Sequence, residues 1–385
     1  MLQLDTKLPG IGTTIFTVMS QLAMEYDAIN LSQGFPDFPV PTPLLDLVEK
    51  YLRGGYNQYP PMAGVPYLRE QIARKVGTLY ATDVDMDTEI TVTSGATEAL
   101  FVAIQATVRH GDEVIVFDPA YDSYDPAVKL AGGRIRHIPM DPPGFRPDWQ
   151  RVRETINDKT RLIIINTPHN PTGSILEASD LTALADCIAG HNIFLLSDEV
   201  YEHMVYDGKQ HHSLLTHDRL RERTFVVSSF GKTCHATGWK VAYCIAPAPL
   251  TTEFRKIHQF VTFTTHTPTQ WALAEFMETC PEHYLGLPDF YQAKRDTFID
   301  AMQGSAFQMT STEGTYFQLA NYSDISRMPD TEFARFLTTR AGVAAIPISV
   351  FYAEPPDTPI VRFCFAKDDD TLKRAASKLK AVEHA

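Results

Sequence analysis

The sequence predicts an α/β protein: a mainly parallel sheet covered by helices on both faces, with a smaller α+β lobe beside it. Two observations lead there. From Glu89 onward, short runs rich in Ile, Val and Leu alternate with amphipathic stretches at helical spacing. From about Phe290 that alternation stops, and the order becomes helix, strand, helix, two short strands and a last helix.

Taken in order, the strand "EITVT" precedes the helix "ATEALFVAIQATVRHG", "DEVIVFD" precedes "SYDPAVKLAGG", and "RLIIINTP" precedes "EASDLTALADCIAGH". The strands "IFLLSDEVY", "TFVVSSF" and "VAYCIAP" follow. Such continuous apolar runs suit strands buried on both faces. The second region reads as "YQAKRDTFIDAMQG" (helix), "TYFQLA" (strand), "DTEFARFLTTRAG" (helix), then "VAAIPIS" and "IVRFCFA". The prolines of "AEPPDTP" mark a surface loop. A large α/β domain is expected at 46–289, and a small domain from 1–45 together with 290–385.

Composition bounds the function. With 385 residues, 44% apolar and 21% charged, the chain is an ordinary globular protein with room for a large core. A formal charge of −13 disfavours nucleic acid and anionic membrane as partners. The opening "MLQLDTKLPGIGTTIF" has no basic segment before an apolar core, and no stretch has the length and apolarity of a membrane span, so a cytoplasmic location is expected. Five cysteines without a C-x-x-C pattern read as plain thiols.

Spacing argues against three chemistries. "GKT" at Gly231–Thr233 looks like the end of a phosphate loop, yet the glycine required five residues earlier is Val226. No G-x-G-x-x-G follows a strand, which disfavours a dinucleotide site. His211, His212 and the "SDEVYEH" cluster lack metal-ligand spacing, so no metal is expected.

In open α/β sheets ligands sit beyond the carboxyl ends of the strands. The clusters "TSGAT", "DPAYDSY", "TPHNPTG", "SDEVY" and "SSFGKT" all fall at such ends, so five loops converge on one rim. In "TSGAT", Gly95, Ala96 and Thr97 stand where a strand turns into a helix, a place suited to an anion. Taken alone, Ser94 or Thr97 is an ordinary helix N-cap, and Lys232 and Lys240 are two solvated surface lysines. One arrangement uses them together: a cofactor phosphate held at the helix end by Ser229 and Lys240, with Lys232 free for a covalent role.

"SFGKTCHATGWK", "NTPHNPTG", "SDEVY" and "RFCFAK" occur here in one order. In these motifs the chain resembles the fold-type I, class I/II pyridoxal-phosphate aminotransferases, and within them the methionine aminotransferases and the kynurenine and glutamine transaminases. The resemblance runs from "LSQGFPDF" to "RFCFAK". It implies pyridoxal 5′-phosphate as cofactor and Lys232 as the Schiff-base lysine, which becomes the proton-moving base once released. It implies Asp198 as partner of the pyridine nitrogen, Tyr201 and Asn170 as donors to the phenolic oxygen, and Tyr121 as the aromatic stacked on the ring. Arg362 matches the arginine that grips the substrate α-carboxylate, and Gly34 a glycine that closes over substrate. Tyr59 matches a tyrosine reaching the phosphate of the neighbouring subunit, so a homodimer is implied.

Relatives shape the side-chain pocket where this chain has Ile15, Phe16 and "IPISVFY". These residues are apolar or aromatic, and as core residues they would look the same. Apolar walls separate substrates differing by one methylene by only about 1–3 kcal/mol. No clear second arginine for an Asp or Glu side chain is found, and a basic residue lent by the partner subunit stays open. The expected reaction is amino transfer from a hydrophobic or sulfur-containing L-amino acid, methionine first, to a 2-oxo acid. Two alternatives stand beside it: cysteine-conjugate β-lyase activity on the same scaffold, and a non-catalytic cofactor-holding dimer.

Overall fold

The computed structural model describes residues 4–382. Its strands are β1 (Ile29–Asn30), β2 (Ile90–Thr93), β3 (Glu113–Asp118), β4 (Arg134–Pro139), β5 (Thr160–Asn166), β6 (Phe194–Asp198), β7 (Thr224–Ser229), β8 (Ala242–Ile245), β9 (Phe317–Asn321), β10 (Val343–Ala344), β11 (Ile346–Pro347) and β12 (Ile360–Cys364). The first four helices are α1 (Ile15–Glu25), α2 (Thr42–Arg53), α3 (Pro66–Tyr80) and α4 (Ala96–Thr107).

Seven strands form one sheet in the order β2-β8-β7-β6-β5-β3-β4. All neighbours are parallel except β8, which runs antiparallel to both β2 and β7. The connection from β7 to β8 is short and lacks a crossover helix, so the chain can only return antiparallel. The same connection carries Lys232 and Lys240, and the sheet topology therefore delivers both lysines to the carboxyl end of β7.

Alternate residues of the central strands enter two different cores. In β3, Val114 and Val116 pack with Ala99, Val102 and Ala103 of α4, while Ile115 and Phe117 join the core on the opposite face. Both faces are covered, and so the strands read as unbroken apolar runs.

The strand β4, "RIRHIP", was not expected from the sequence. It lies at the sheet edge and pairs only with β3. Arg134 and Arg136 are exposed, and so the apolar run that marks the inner strands is missing. Charged residues and proline are what an edge strand carries to discourage further pairing.

The two ends of the chain meet in smaller sheets. β1 pairs parallel with β10, and β11-β12-β9 form an antiparallel sheet. α1 packs against β10 and β11, and the helix Leu287–Met302 packs against Asp369–Lys380. The helix expected over "DTEFARFLTTRAG" is α-helical over Asp330–Phe336, continues as a wide π-type turn over Leu337–Ala341, and ends at Gly342 with φ 71°. No described helix is long and apolar enough to cross a membrane.

Candidate active site

The carboxyl ends of β2, β3, β5, β6 and β7 lie along one rim of the sheet, and all five expected clusters contribute directly to one cavity of about 280 Å³. It is lined by Gly95, Ala96 and Thr97 at the start of α4, by Tyr121 and Asn170, and by Asp198 and Tyr201 at the carboxyl end of β6. Ser229, Lys232 and Lys240 close it from β7, and Phe16, Gly34 and Arg362 from the segments nearer the chain ends. Every residue expected to touch cofactor or substrate directly, except Tyr59, thus meets in one place, whereas Ile15 and the "IPISVFY" segment, expected at the side-chain pocket, are not among the walls of this cavity.

α4 begins without a side-chain cap. Gly95 occupies the N-cap position with φ 84°, and neither Ser94 nor Thr97 caps the helix. The Ser94 N–H instead donates to the Glu98 carboxylate at 2.5 Å, and Glu98 is held by buried His258 at 2.6 Å. The first-turn N–H groups of α4 are therefore left without a side-chain acceptor, a setting that suits an anion. Lys240 reaches the same spot: a Cβ on Gly95 would lie 2.8 Å from its Cε and 3.0 Å from its Nζ.

Asp198 sits at the end of β6, buried. Its carboxylate accepts from the Tyr124 hydroxyl at 2.8 Å and from the Val200 N–H at 3.4 Å, both neutral donors. Burial without a bonded cation pushes its pKa up to about 6. Tyr124 belongs to the quoted "DPAYDSY", but only the fold shows it to be the tyrosine that touches Asp198, while Tyr121 packs edge-on against it at 5.7 Å.

Arg362 on β12 is fully buried with no carboxylate on it. It donates from Nη1 to Asn170 Oδ1 at 2.6 Å and from Nη2 to the Ser32 carbonyl at 3.1 Å, and its Nε has no partner. The Phe317 ring lies 3.8 Å from the guanidinium carbon, with Phe16 and Phe351 at 5.4 and 5.5 Å. Burial lowers its pKa to about 10. A buried guanidinium that spends only two of its five N–H donors is suited to receive a carboxylate. The Asn170 N–H donates to Asn166 Oδ1 at 2.7 Å, and Asn166 Nδ2 donates to the Asp198 carbonyl at 2.8 Å. Asn166, the first residue of the quoted "NTPHNPTG", thus ties the arginine's partner to the strand end that carries Asp198, a pairing visible only in the fold.

The Lys232 amine donates to the Tyr316 hydroxyl at 2.8 Å and to the Gly34 carbonyl at 3.2 Å. Burial, and then the nearby Arg362 charge, lower its pKa to about 8. The Tyr201 ring lies 5.4 Å from this amine, and burial raises the pKa of the Tyr201 hydroxyl. Tyr59 stands apart: it is 84% exposed and packs edge-on against Phe263 at 5.7 Å. Among the described residues no cluster of His, Cys, Asp or Glu is arranged to hold a metal.

An amine of depressed pKa sharing a cavity with a cation-seeking carboxylate and a carboxylate-seeking guanidinium suits an enzyme that handles amino acids. The chain belongs to the aminotransferase class I and II family, whose model matches residues 26–379. It is 53% identical over 378 residues to a methionine aminotransferase of Escherichia coli, covering 98% of each chain. The crystal structure of YbdL from Escherichia coli, which identifies a methionine aminotransferase function, superimposes with a TM-score of 0.97 at 53% identity, over 99% of this chain and 100% of that one. N-succinyldiaminopimelate aminotransferase from Mycobacterium tuberculosis superimposes with a TM-score of 0.95 at 37% identity, over 99% and 100%. The human kynurenine–oxoglutarate transaminase 1 is 33% identical over 408 residues, 97% of each chain.

Proposed function

We propose that this chain is a pyridoxal 5′-phosphate-dependent homodimer that moves the amino group of a hydrophobic or sulfur-containing L-amino acid, methionine first, to a 2-oxo acid. The observation that carries this reading is the pair of buried charges left without counter-ions, Asp198 and Arg362, in one cavity with the Lys232 amine.

The residues present fit the cofactor. Asp198 lacks a cation, which a protonated ring nitrogen supplies, and the uncapped start of α4 with Ser229 and Lys240 suits a phosphate. When bound, pyridoxal 5′-phosphate supplies an aldehyde carbon for amines and a protonated ring that withdraws electrons. The protein's own groups do the rest. Near pH 8 half of the Lys232 amine is neutral and able to attack a carbonyl or accept a proton. Arg362 binds the substrate α-carboxylate and so orients the α-carbon toward Lys232. Asn170 spends its carbonyl on Arg362, which leaves its amide N–H groups to offer to the cofactor together with the Tyr201 hydroxyl. Tyr121 supplies an aromatic face.

Methionine as donor rests on the name of the 53% identical relative and on the walls of the cavity. Phe16 and Phe351 pack at 5.8 Å, and Phe317 stands behind Arg362, so the surface beside the arginine is aromatic and apolar. Tyr59, exposed in the single chain, is assigned to the partner subunit's phosphate site. We also propose the division into a large domain at 46–289 and a small one from 1–45 and 290–385, supported by the pairing of β1 with β10.

Borohydride reduction of the cofactor-loaded protein followed by peptide mapping should place the label on Lys232. A label on any other residue would end the reading. A panel of amino donors against several 2-oxo acids then decides the substrate: methionine is expected to give the highest kcat/KM, and a dicarboxylic donor above it would overturn that assignment.

A further inference from the structure

We propose that Tyr316 is a catalytic residue: its hydroxyl and the Gly34 carbonyl form a post that holds the Lys232 amine whenever that amine is not covalently engaged. The inference rests on the reading of Lys232 given above. Tyr316 lies just before β9, is fully buried, and belongs to none of the sequence motifs that mark the site.

Three contacts form a closed triangle. The Tyr316 hydroxyl donates to the Gly34 carbonyl at 2.5 Å, and Lys232 Nζ donates to the Tyr316 oxygen at 2.8 Å and to the Gly34 carbonyl at 3.2 Å. The hydroxyl has one proton, which goes to Gly34, so its lone pairs face the amine. Gly34 can approach only because it lacks a side chain: a Cβ there would lie 2.7 Å from Phe317 Cζ. The Tyr316 ring is fixed in turn by edge contacts with Tyr201 at 5.1 Å and Phe317 at 4.9 Å.

The post has a chemical consequence. When Nζ carries a transferred proton it has three N–H donors. Tyr316 and Gly34 take two of them, and the third is left to deliver the proton. Loss of the hydroxyl removes one acceptor from the ammonium and frees the amine to wander from the reacting carbon. The other ionisable groups acting on Nζ are Asp198, Tyr201, Cys364, Arg362 and Lys240, and none of them is changed in a Tyr316→Phe variant.

Two readouts test the proposal. In cofactor-free protein, the reactivity of Lys232 toward acetic anhydride is followed against pH by peptide mapping. Tyr316→Phe is expected to move the midpoint down by about one pH unit, since an acceptor of the ammonium is gone. In cofactor-loaded protein, kcat for methionine should fall roughly 10- to 100-fold with KM nearly unchanged, and the isotope effect with α-deuterated methionine should rise. An unmoved midpoint together with an unchanged isotope effect would overturn the proposal. If borohydride labels Lys232 while both readouts match the parent, only the role of Tyr316 fails; if the label lies elsewhere, the underlying reading fails first.

Discussion

Asp198 and Glu202 are buried carboxylates on one short segment at the carboxyl end of β6, and they are treated in opposite ways. Glu202 turns to the back of the site. It meets Lys75 of α3 at 2.6 Å, the Tyr80 hydroxyl at 2.5 Å, the Tyr243 hydroxyl at 3.1 Å and the Ser228 hydroxyl, and against the cost of burial Lys75, with His203 and Ser228, holds its pKa well below the usual carboxylate range. Glu199 is likewise satisfied, by His211 at 2.8 Å, Ser197 at 2.8 Å and the Leu214 N–H at 3.0 Å. Asp198, at the front, has only neutral donors, and its pKa rises. A buried ion pair with every lone pair satisfied is a structural fitting; a buried charge left bare in a cavity is waiting for a ligand. The fitting also serves the site, because Glu202 adjoins Tyr201 and Ser228 adjoins Ser229.

Substitutions can break this contrast. The largest effect is expected at the front. Lys232→Ala should lower turnover at least about 10⁴-fold while cofactor is still retained through its phosphate, as read by steady-state rates and by absorbance of the dialysed protein. Near-normal turnover would remove Lys232 from the centre of the site.

At the back, Glu202→Gln leaves Lys75 buried without its partner and should cost about 3–5 kcal/mol in chemical denaturation. Lowering the pH has the same sign. The depressed pKa of Glu202 contributes stability above the ordinary carboxylate value of about 4, and that stability is lost as pH falls below it. A Glu202→Gln protein as stable as the parent at pH 7 would break the claim that the back face is a structural fitting.

Arg362→Lys keeps a charge but loses the fork that meets a carboxylate with two bonds, so kcat/KM for methionine should fall about 10- to 100-fold. Folding stability should change little by comparison.

The smallest effect carries the most information because its sign is reversed. In cofactor-free protein, Asp198→Asn should raise the unfolding free energy at pH 7 by about 1 kcal/mol or more, since the buried, unneutralised charge disappears. The folded-state pKa of Asp198 is raised, so its ionisation costs stability as pH climbs from about 4 toward about 6. The gain should therefore vanish near pH 4. The same variant should retain cofactor less well. Destabilisation by Asp198→Asn at pH 7 would erase the difference between the two faces.

Much of this was legible in the sequence because the chemistry is carried by short clusters at strand ends. "SDEVY" places Asp198 and Tyr201 three residues apart, and "SFGKTCHATGWK" spans one turn-rich connection with Ser229, Lys232 and Lys240 on it. What stayed hidden was pairing over distance. Lys75 and Glu202 are 127 residues apart, Tyr124 and Asp198 are 74 apart, and Gly34 and Tyr316 are 282 apart. β4 escaped for a different reason: edge strands alternate charged and apolar residues, and the inner-strand pattern does not describe them.

By itself the amino-acid sequence determined the α/β class, the rim on which ligand-binding loops gather, and the residue types able to bind amine, carboxylate and phosphate, because apolar periodicity and strand-end chemistry are local properties of a chain. Only the tertiary structure decided which buried charges are neutralised and which are left open, because a carboxylate's environment is set by whichever distant segments pack against it. That division left Glu202 paired and Asp198 and Arg362 buried without counter-ions, and it set Tyr316 against the Lys232 amine.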